Sequence, residues 1–305
     1  MKPRSEPAAP RKTWRRVDGV VLLDKSTGSS SNAALQSVRR LFSAAKAGHT
    51  GTLDPMASGL LPLCFGEATK FAVDLLDADK TYETELLFGV STDTGDAEGS
   101  VVRRRAVAFE RCELEAVLQR FQGRQHQVPP MFSALKRDGK PLYELARQGI
   151  VVHREAREVT IFELALLDFA DDRSRLRVVC SKGTYIRTLA EDLGNALGCG
   201  AHLTALRRTA VGTLTLDGAV TLEQLAELAE ADRLAWLHPP DLLLQSLPAV
   251  FLTEEQAQRF MHGNPVPVQG QEGKYRVYEG VRLLGLGELD ASGTLRPRRL
   301  IRMGA

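Results

Sequence analysis

The sequence has no apolar run of about 18 residues, the length a membrane-spanning helix needs. Its opening stretch, MKPRSEPAAPRKTWRR, is charged and lacks the apolar segment of a secretory signal, so a cytoplasmic location is expected. Only four cysteines occur in 305 residues (Cys64, Cys112, Cys180 and Cys199), and none forms a CxxC pair. That spacing argues against a disulfide framework and for reduced, buried thiols. Cys199 and His202 offer half of a zinc site, but no second pair follows to complete four ligands. Also missing are HExxH, a dinucleotide GxGxxG, a GxxxxGK[ST] phosphate loop and a Ser-His-Asp motif. Chemistry here must therefore run on a carboxylate with basic or aromatic helpers, without an obvious cofactor or metal. No internal repeat of about 20 to 50 residues is present, which excludes solenoid and propeller architectures.

A hydrophobic fraction of 43% is enough for a substantial core, and 305 residues suit about two domains. Net charge is +2, which alone says nothing about partners. Basic clusters at Arg11, Lys12, Arg15 and Arg16, at Arg103 to Arg105, at Arg207 and Arg208, and at Arg296 to Arg302 permit an RNA partner. Each cluster is equally a solvated face.

Residues 1–17 are basic and Pro-rich without periodicity and are expected to form a disordered tail. GVVLLDK (Gly19 to Lys25) reads as a buried strand, followed by a capped helix over Ala33 to Phe42. A Gly-rich loop from Gly48 to Gly59 leads into the apolar run LLPLCFG. Strands are expected over Lys80 to Val90 and Ser100 to Val107, a helix over Phe109 to Phe121, and a short helix in PLYELARQG closed by Gly149. Glu158 to Phe169 and Arg175 to Ser181 form an expected antiparallel pair. Thr184 is expected to cap a helix over Tyr185 to Leu197, Leu203 to Leu216 to be extended, and Leu222 to Ala229 to be helical. Periodicity stops around His238-Pro239-Pro240, and a small β-rich domain is expected from Leu247 onward. The expected division is a tail over 1–17, a main domain over 18–246 and a small domain over 247–305.

The densest unusual segment is GHTGTLDP, Gly48 to Pro55. Its glycines allow close approach by a ligand, and Pro55 pushes Asp54 out of the helical region. An Asx turn explains the same pattern, and more plainly. Lys182 to Arg187 (KGTYIR) lies at a strand-to-helix junction, where anions bind; a routine cap with Arg187 facing solvent is the alternative. Asp93, Asp96 and Glu98 lack calcium-loop spacing and read better as a polar hairpin tip.

Several blocks taken in order resemble the TruB family, the bacterial tRNA pseudouridine-55 synthases. They are LDKSTG with SSN, GHTGTLDPMASGLLPLCFGEATK, DADKTYE, STDTGDAEG, PPMFSALKRDGKPLYELARQGI and CSKGTYIRTLAEDLGNALGCGAHLTALRRT. The likeness runs from about Gly19 to Thr209, and the tail beyond Leu247 is similar to the small PUA-like RNA-binding domain of bacterial members. It implies an α+β fold with a mixed, largely antiparallel central sheet and flanking helices, plus the PUA-like domain. Asp54 falls on the family's catalytic aspartate, Tyr82 on the tyrosine that stacks on the uracil, and Arg187 on the arginine paired with the aspartate. His49 falls on the histidine implicated in displacing the flipped nucleotide. Tyr185 and Leu206 fall on residues lining the uridine pocket, and Lys25 and Lys70 on basic family positions. PPMFSALKRDGK falls on the flexible segment that grips the RNA. Ser26 stands where the family usually has proline, which puts the rigidity of that loop in doubt.

The resemblance implies an isomerase that breaks the bond between ribose C1′ and uracil N1, turns the base and joins C1′ to C5. No redox cofactor and no catalytic metal are implied. A carboxylate serves either as nucleophile at C1′ or in elimination to a glycal, and the sequence leaves both routes open. Flipping a base out of a folded loop costs a few kcal/mol, and stacking on Tyr82 returns about 1–3 kcal/mol. The implied partner is tRNA through its T-arm, acted on by a monomer without protein partners. Competing readings are a non-catalytic RNA-folding protein and an isomerase acting on another RNA. The trio Asp54, Tyr82 and Arg187 favours catalysis, because a pure binder has no need of it.

Overall fold

A computed structural model describes residues 13–302. The chain opens with β1 (Gly19–Lys25), α1 (Ser31–Leu41), β2 (Ala47–His49), β3 (Ser58–Phe65), α2 (Ala72–Leu76) and β4 (Lys80–Phe88). A hairpin of β5 (Val90–Thr92) and β6 (Val101–Arg104) follows, then α3 (Arg111–Arg120), β7 (Gly123–Gln127) and a small hairpin of β8 (Lys136–Arg137) and β9 (Lys140–Pro141). Next come α4 (Leu142–Arg147), β10 (Arg157–Ala170), β11 (Arg173–Cys180), α5 (Ile186–Ala196), β12 (Ala201–Val211) and β13 (Leu214–Thr215). The short helices α6 (Leu222–Glu227) and α7 (Glu230–Arg233) close this part.

Nine strands form one sheet in the order β1-β3-β12-β4-β11-β10-β7, with β2 on β3 and β13 on β12. Every pairing is antiparallel except β3 with β12, as the expected mixed, largely antiparallel sheet requires. β4 alternates strictly, with Lys80, Tyr82, Thr84, Leu86 and Phe88 buried, because one face meets the helices. β1 instead reads as a continuous apolar run. Its free edge is covered by the chain at Val220 and His238, whose carbonyls accept from Asp24 (3.0 Å) and Val20 (2.8 Å). On α1, Ala34, Leu35 and Val38 face the core, and the Ser30 hydroxyl caps the helix by accepting from the Ala33 N–H.

A second, five-stranded sheet lies C-terminal: β14 (Ala249–Phe251), β15 (Val266–Pro267), β16 (Gly273–Glu279), β17 (Arg282–Leu289) and β18 (Thr294–Leu300), in the order β14-β16-β17-β18-β15. It packs with α8 (Glu254–Met261) around Leu252, Phe260, Val277 and Leu295. Leu286 inserts into a cluster of the main body that holds Phe71, Leu243 and Leu244. Polar ties reinforce that seam: Arg299 donates to Asp74 at 2.8 Å, and Lys70 to the Leu300 carbonyl at 2.7 Å.

Several expectations change. The tail is ordered from residue 13 in the described part. Arg15 N–H donates to the Ser43 carbonyl, and Val17 is buried. Residues 1–12, with Arg11 and Lys12, lie outside the described residues. Thr184 does not cap α5: its hydroxyl donates to the Ser181 carbonyl, and Tyr185 takes the cap position. β7 (GRQHQ) was not foreseen, since its polar composition carries no apolar alternation; it is an edge strand on β10. Arg208 leaves the surface clusters altogether, being only 1% exposed.

Gly59 shows how tightly β3 and β12 meet. Its φ is +101°, and a Cβ there would overlap the Arg208 backbone, lying 2.8 Å from its nitrogen. Gly28 shares a positive φ (+82°) but has open space around it. We expect Gly28→Ala to cost only the backbone term, about 1 kcal/mol, and Gly59→Ala at least about 1–3 kcal/mol more. Thermal melting of the two variants side by side checks this; equal losses would refute the close-packing account.

Candidate active site

The loop between β2 and β3 carries Asp54, and its shape is set from outside. The buried Ser31 hydroxyl donates to the Leu53 carbonyl at 3.0 Å and accepts from the Leu53 N–H at 2.7 Å. Thr50 N–H reaches the Pro62 carbonyl, Ala57 N–H closes a turn on the Asp54 carbonyl, and Gly28 N–H donates to the Pro55 carbonyl. The turn at Asp54-Pro55 is thus closed by backbone groups, and the Asp54 side chain meets Arg187 where the expected Asx turn would have used it locally.

Arg187 lies at the start of α5 and is buried, not solvent-facing. Its Nε donates to Asp54 Oδ2 at 2.9 Å, Nη1 to the Thr94 carbonyl at 2.9 Å and Nη2 to the Phe132 carbonyl at 2.6 Å. Asp96 Oδ2 stands 3.7 Å from Nε. The Arg187 side chain is 4% exposed and that of Asp54 35% exposed, so the carboxylate keeps an open side while its partner does not. Gln127 sets the helix start by bonding both backbone groups of Tyr185: Oε1 accepts from the N–H at 2.7 Å, and Nε2 donates to the carbonyl at 3.0 Å.

Asp96 was read as part of a polar hairpin tip, but it is only 4% exposed. Its Oδ1 accepts from the Thr94 hydroxyl (2.6 Å) and the Glu98 N–H (3.1 Å), which fixes Oδ2 toward Arg187. Burial, then Asp96 and Asp54, push the Glu98 carboxyl above its ordinary range. Asp96 was singled out in the sequence but for another role, while Ser31 and Gln127 carried no signal: one is a polar residue at a helix start, the other lies on a strand without apolar alternation.

Lys25 also faces this centre. It is 2% exposed, and its Nζ donates to the Ser26 and Ser29 carbonyls, each at 2.8 Å. Burial lowers its pKa, while Asp54 and Glu98 oppose that shift. Because the contact to residue 26 is a carbonyl, serine supplies what proline would. Tyr82 on β4 is buried and its hydroxyl titrates high, chiefly through desolvation, with Asp54 among the charges that raise it. Leu206 is buried on β12 in register with Thr84, two residues along the same strand face from Tyr82. His49 ends β2 with a buried Nδ1 that has no hydrogen-bond partner among the described residues; burial and then Arg208 keep its pKa low. Tyr185 is half-buried, and burial raises its hydroxyl.

Lys70 is the exception among the expected site residues. It bonds Glu67 at 2.6 Å and the Leu300 carbonyl, at the seam to the C-terminal sheet and away from Asp54. The Cys199–His202 pair does not face a shared ligand position, since His202 Nδ1 bonds the Val90 carbonyl at 2.8 Å. The segment 129–140 lies beside a cavity of about 250 Å³ lined by Lys136, Arg137, His153, Arg154 and Arg157 among others, while its Phe132 carbonyl reaches the centre through Arg187. The arrangement presents a half-open carboxylate on a buried guanidinium, a buried phenol and apolar walls.

Three family models cover most of the chain. They are the TruB family pseudouridylate synthase N-terminal domain over residues 39–186, the tRNA pseudouridylate synthase B C-terminal domain over 187–245, and the pseudouridine synthase II TruB C-terminal region over 248–301. The chain is 60% identical over 294 residues to tRNA pseudouridine synthase B of Dechloromonas aromatica, covering 96% of this chain and 98% of that one. It is 58% identical over 299 residues to the protein of that name in Burkholderia lata, covering 96% and 92%. Among solved structures, a Cbf5-Nop10-Gar1 complex matches with TM-score 0.69 at 26% identity, over 89% of this chain and 78% of that one. An H/ACA RNP bound to a substrate RNA shares the fold, with TM-score 0.71 at 21% identity over 93% and 85%. With Asp54 held by Arg187 and relatives matched over 96% of this chain, the chain belongs to the TruB family of pseudouridylate synthases.

Proposed function

We propose that this chain is a tRNA pseudouridine synthase that isomerises the uridine at position 55 of the T-loop. The observation that carries this reading is the pair of Asp54 and buried Arg187, 2.9 Å apart, in a chain 60% identical to a tRNA pseudouridine synthase B. The flipped uridine enters beside the exposed side of Asp54, between Tyr82 and Leu206. Asp54 acts at the ribose, as nucleophile at C1′ or through elimination to a glycal. Arg187 holds the carboxylate in position and stays protonated throughout. The detached uracil stays stacked on Tyr82, turns, and forms the C1′–C5 bond; the Tyr82 oxygen takes the C5 proton while N1 gains one, so the reaction is balanced without oxidation. His49, Tyr185 and Lys25 line the entrance and steady the opened loop. Residues 18–246 form the catalytic domain and 247–305 a PUA-like RNA-binding domain, with Lys70 acting at the seam between them. The enzyme works as a monomer in the cytoplasm.

Base flipping needs a dry pocket and contacts that offset a few kcal/mol of unstacking. Supporting that demand, the site is walled by the buried residues Leu53, Ala57, Tyr82 and Leu206.

Incubation with unmodified tRNA transcript, followed by pseudouridine mapping, is expected to give product at the T-loop uridine for the wild type and none above background for Asp54→Asn. A product at a different uridine would move the substrate assignment, and product from Asp54→Asn would overturn the role of the carboxylate. Arg187→Ala should lower single-turnover rate by about 10²-fold or more while RNA affinity changes little; parallel losses in both would refute a role confined to the reaction. Tyr82→Phe keeps the stack and removes the hydroxyl. RNA binding should persist and the rate fall by about 10²- to 10⁴-fold, the range for a proton-transfer group. A variant reacting at wild-type rate would exclude the hydroxyl as the base.

A further inference from the structure

Arg208 is the largest of the fully buried side chains, 1% exposed, and among the described residues it makes no ion pair with a carboxylate. An unpaired buried cation is costly, because desolvation is not repaid by an opposite charge. Its neighbour Arg207 has the ordinary arrangement, a forked pair on Asp24 at 2.6 and 3.0 Å at the surface. Arg208 instead sends Nε to the Leu60 carbonyl on β3 at 2.8 Å and Nη2 to the Gly51 carbonyl of the Asp54 loop at 3.3 Å. Opposite it in the β12–β4 register stands Tyr82, likewise buried, and the guanidinium favours the charged form of the phenol. The phenol is thus the acidic group that stands across from this guanidinium.

We propose that Arg208 is a positioning residue for the isomerisation: it ties the Tyr82 hydroxyl to the loop that carries Asp54 and is the counter-ion for the phenolate that accepts the C5 proton. This inference rests on the reading of Tyr82 as the base. Desolvation holds the buried phenol neutral, and a fixed cation beside the oxygen is what stabilises the charged form. The other groups around the pair do not replace it. Lys80 precedes Tyr82 on the same strand face, but its Nζ is committed to the Leu76 and Ala78 carbonyls, and burial followed by Arg208 lowers it to about 8. Cys180 on β11 is driven up to about 12 by burial and stays a neutral thiol. His49 is kept neutral by burial and by Arg208 itself. Besides burial, Asp54 raises the Tyr82 hydroxyl and so opposes Arg208, while Lys25 is lowered by burial and by Arg208 and is drawn to Asp54 and Glu98. In the step itself, the phenol first loses its proton to solvent, leaving the phenolate beside Arg208. The C5–H bond then breaks, its electron pair forms the C5–C6 double bond, the proton passes to the phenolate oxygen, and water supplies the proton that N1 gains.

The test is a cycle of Arg208→Met, Tyr82→Phe and the double variant in single-turnover reactions across pH, with RNA affinity and melting followed in parallel. Wild-type rate should rise with pH on the way to the Tyr82 titration. In Arg208→Met that rise moves to higher pH and the rate at neutral pH falls about tenfold or more, within the range for proton-transfer groups. In the Tyr82→Phe background the same substitution should add little loss. Arg208→Lys, which keeps a charge, should restore the pH profile in part, and it decides the matter if Arg208→Met fails to fold. Ultraviolet titration of tyrosinate, taken as the difference between wild type and Tyr82→Phe, should show the same upward shift in Arg208→Met. Unmoved profiles with multiplicative losses would mean that Arg208 only holds the strands together, overturning the proposal. A Tyr82→Phe enzyme at full rate would instead remove the reading of Tyr82 on which it rests.

Discussion

The contact between Asp54 and Arg187 is the constraint around which the rest is arranged. One guanidinium joins the Gly-rich loop, the β5–β6 hairpin at Thr94 and the segment at Phe132, parts of the chain separated by 133, 93 and 55 residues from it. Such a group is tolerated inside a protein only when every donor has an acceptor, and removing a partner of a buried pair typically costs about 3–5 kcal/mol. The centre is therefore assembled by the tertiary fold and not by any one segment. The hairpin carrying Asp96 and the helix start fixed by Gln127 are as much part of it as the loop bearing Asp54. The asymmetry of exposure matters as well. The arginine is sealed while the carboxylate is half-open, so the pair keeps part of the carboxylate accessible from outside.

Much of this was legible in the sequence, for physical reasons that differ by element. β1, β3 and β4 announced themselves through buried runs and strict alternation. The helices α1, α3 and α5 were visible from apolar spacing, with Gly198 marking the end of α5 by its positive φ. Asp54, Tyr82 and Arg187 were legible only as members of an ordered set of motifs; singly, each has a plainer explanation. What stayed hidden depends on distant partners. Asp96 looks like any hairpin aspartate until Arg187 arrives from 91 positions further along the chain, as the 3.7 Å approach shows. Arg207 and Arg208 look alike side by side, yet strand alternation turns one to solvent and one inward. Lys70 matched a basic position, but its partners, Glu67 and the Leu300 carbonyl, belong to the seam between the sheets.

Charge distribution follows the same division between local and tertiary effects. The C-terminal arginines, which look like a patch in sequence, are largely neutralised in place: Arg296 by Asp290, Arg298 by Glu288 and Arg299 by Asp74. Around the 129–140 segment the basic groups Lys136, Arg137, Arg154 and Arg157 share a cavity wall with a single acid, Glu155. A polyanion is drawn to positive charge that is not already compensated. Uncompensated positive charge is accordingly weighted toward this wall, close to the segment whose Phe132 carbonyl touches Arg187.

Two buried arginines near the Asp54 loop thus have opposite electrostatic settings. Arg187 faces carboxylates and serves a charge that is present before the reaction begins. Arg208 faces carbonyls and a phenol, so the negative charge that would balance it is absent in the resting protein. A protein that needed only to anchor β12 would gain more from an apolar side chain, since an unpaired buried cation is the less stable choice. Its position against Tyr82 makes sense when negative charge develops on that oxygen during turnover. Preorganised charge aimed at where charge appears, and not at where it already lies, favours the reacting state over the resting one.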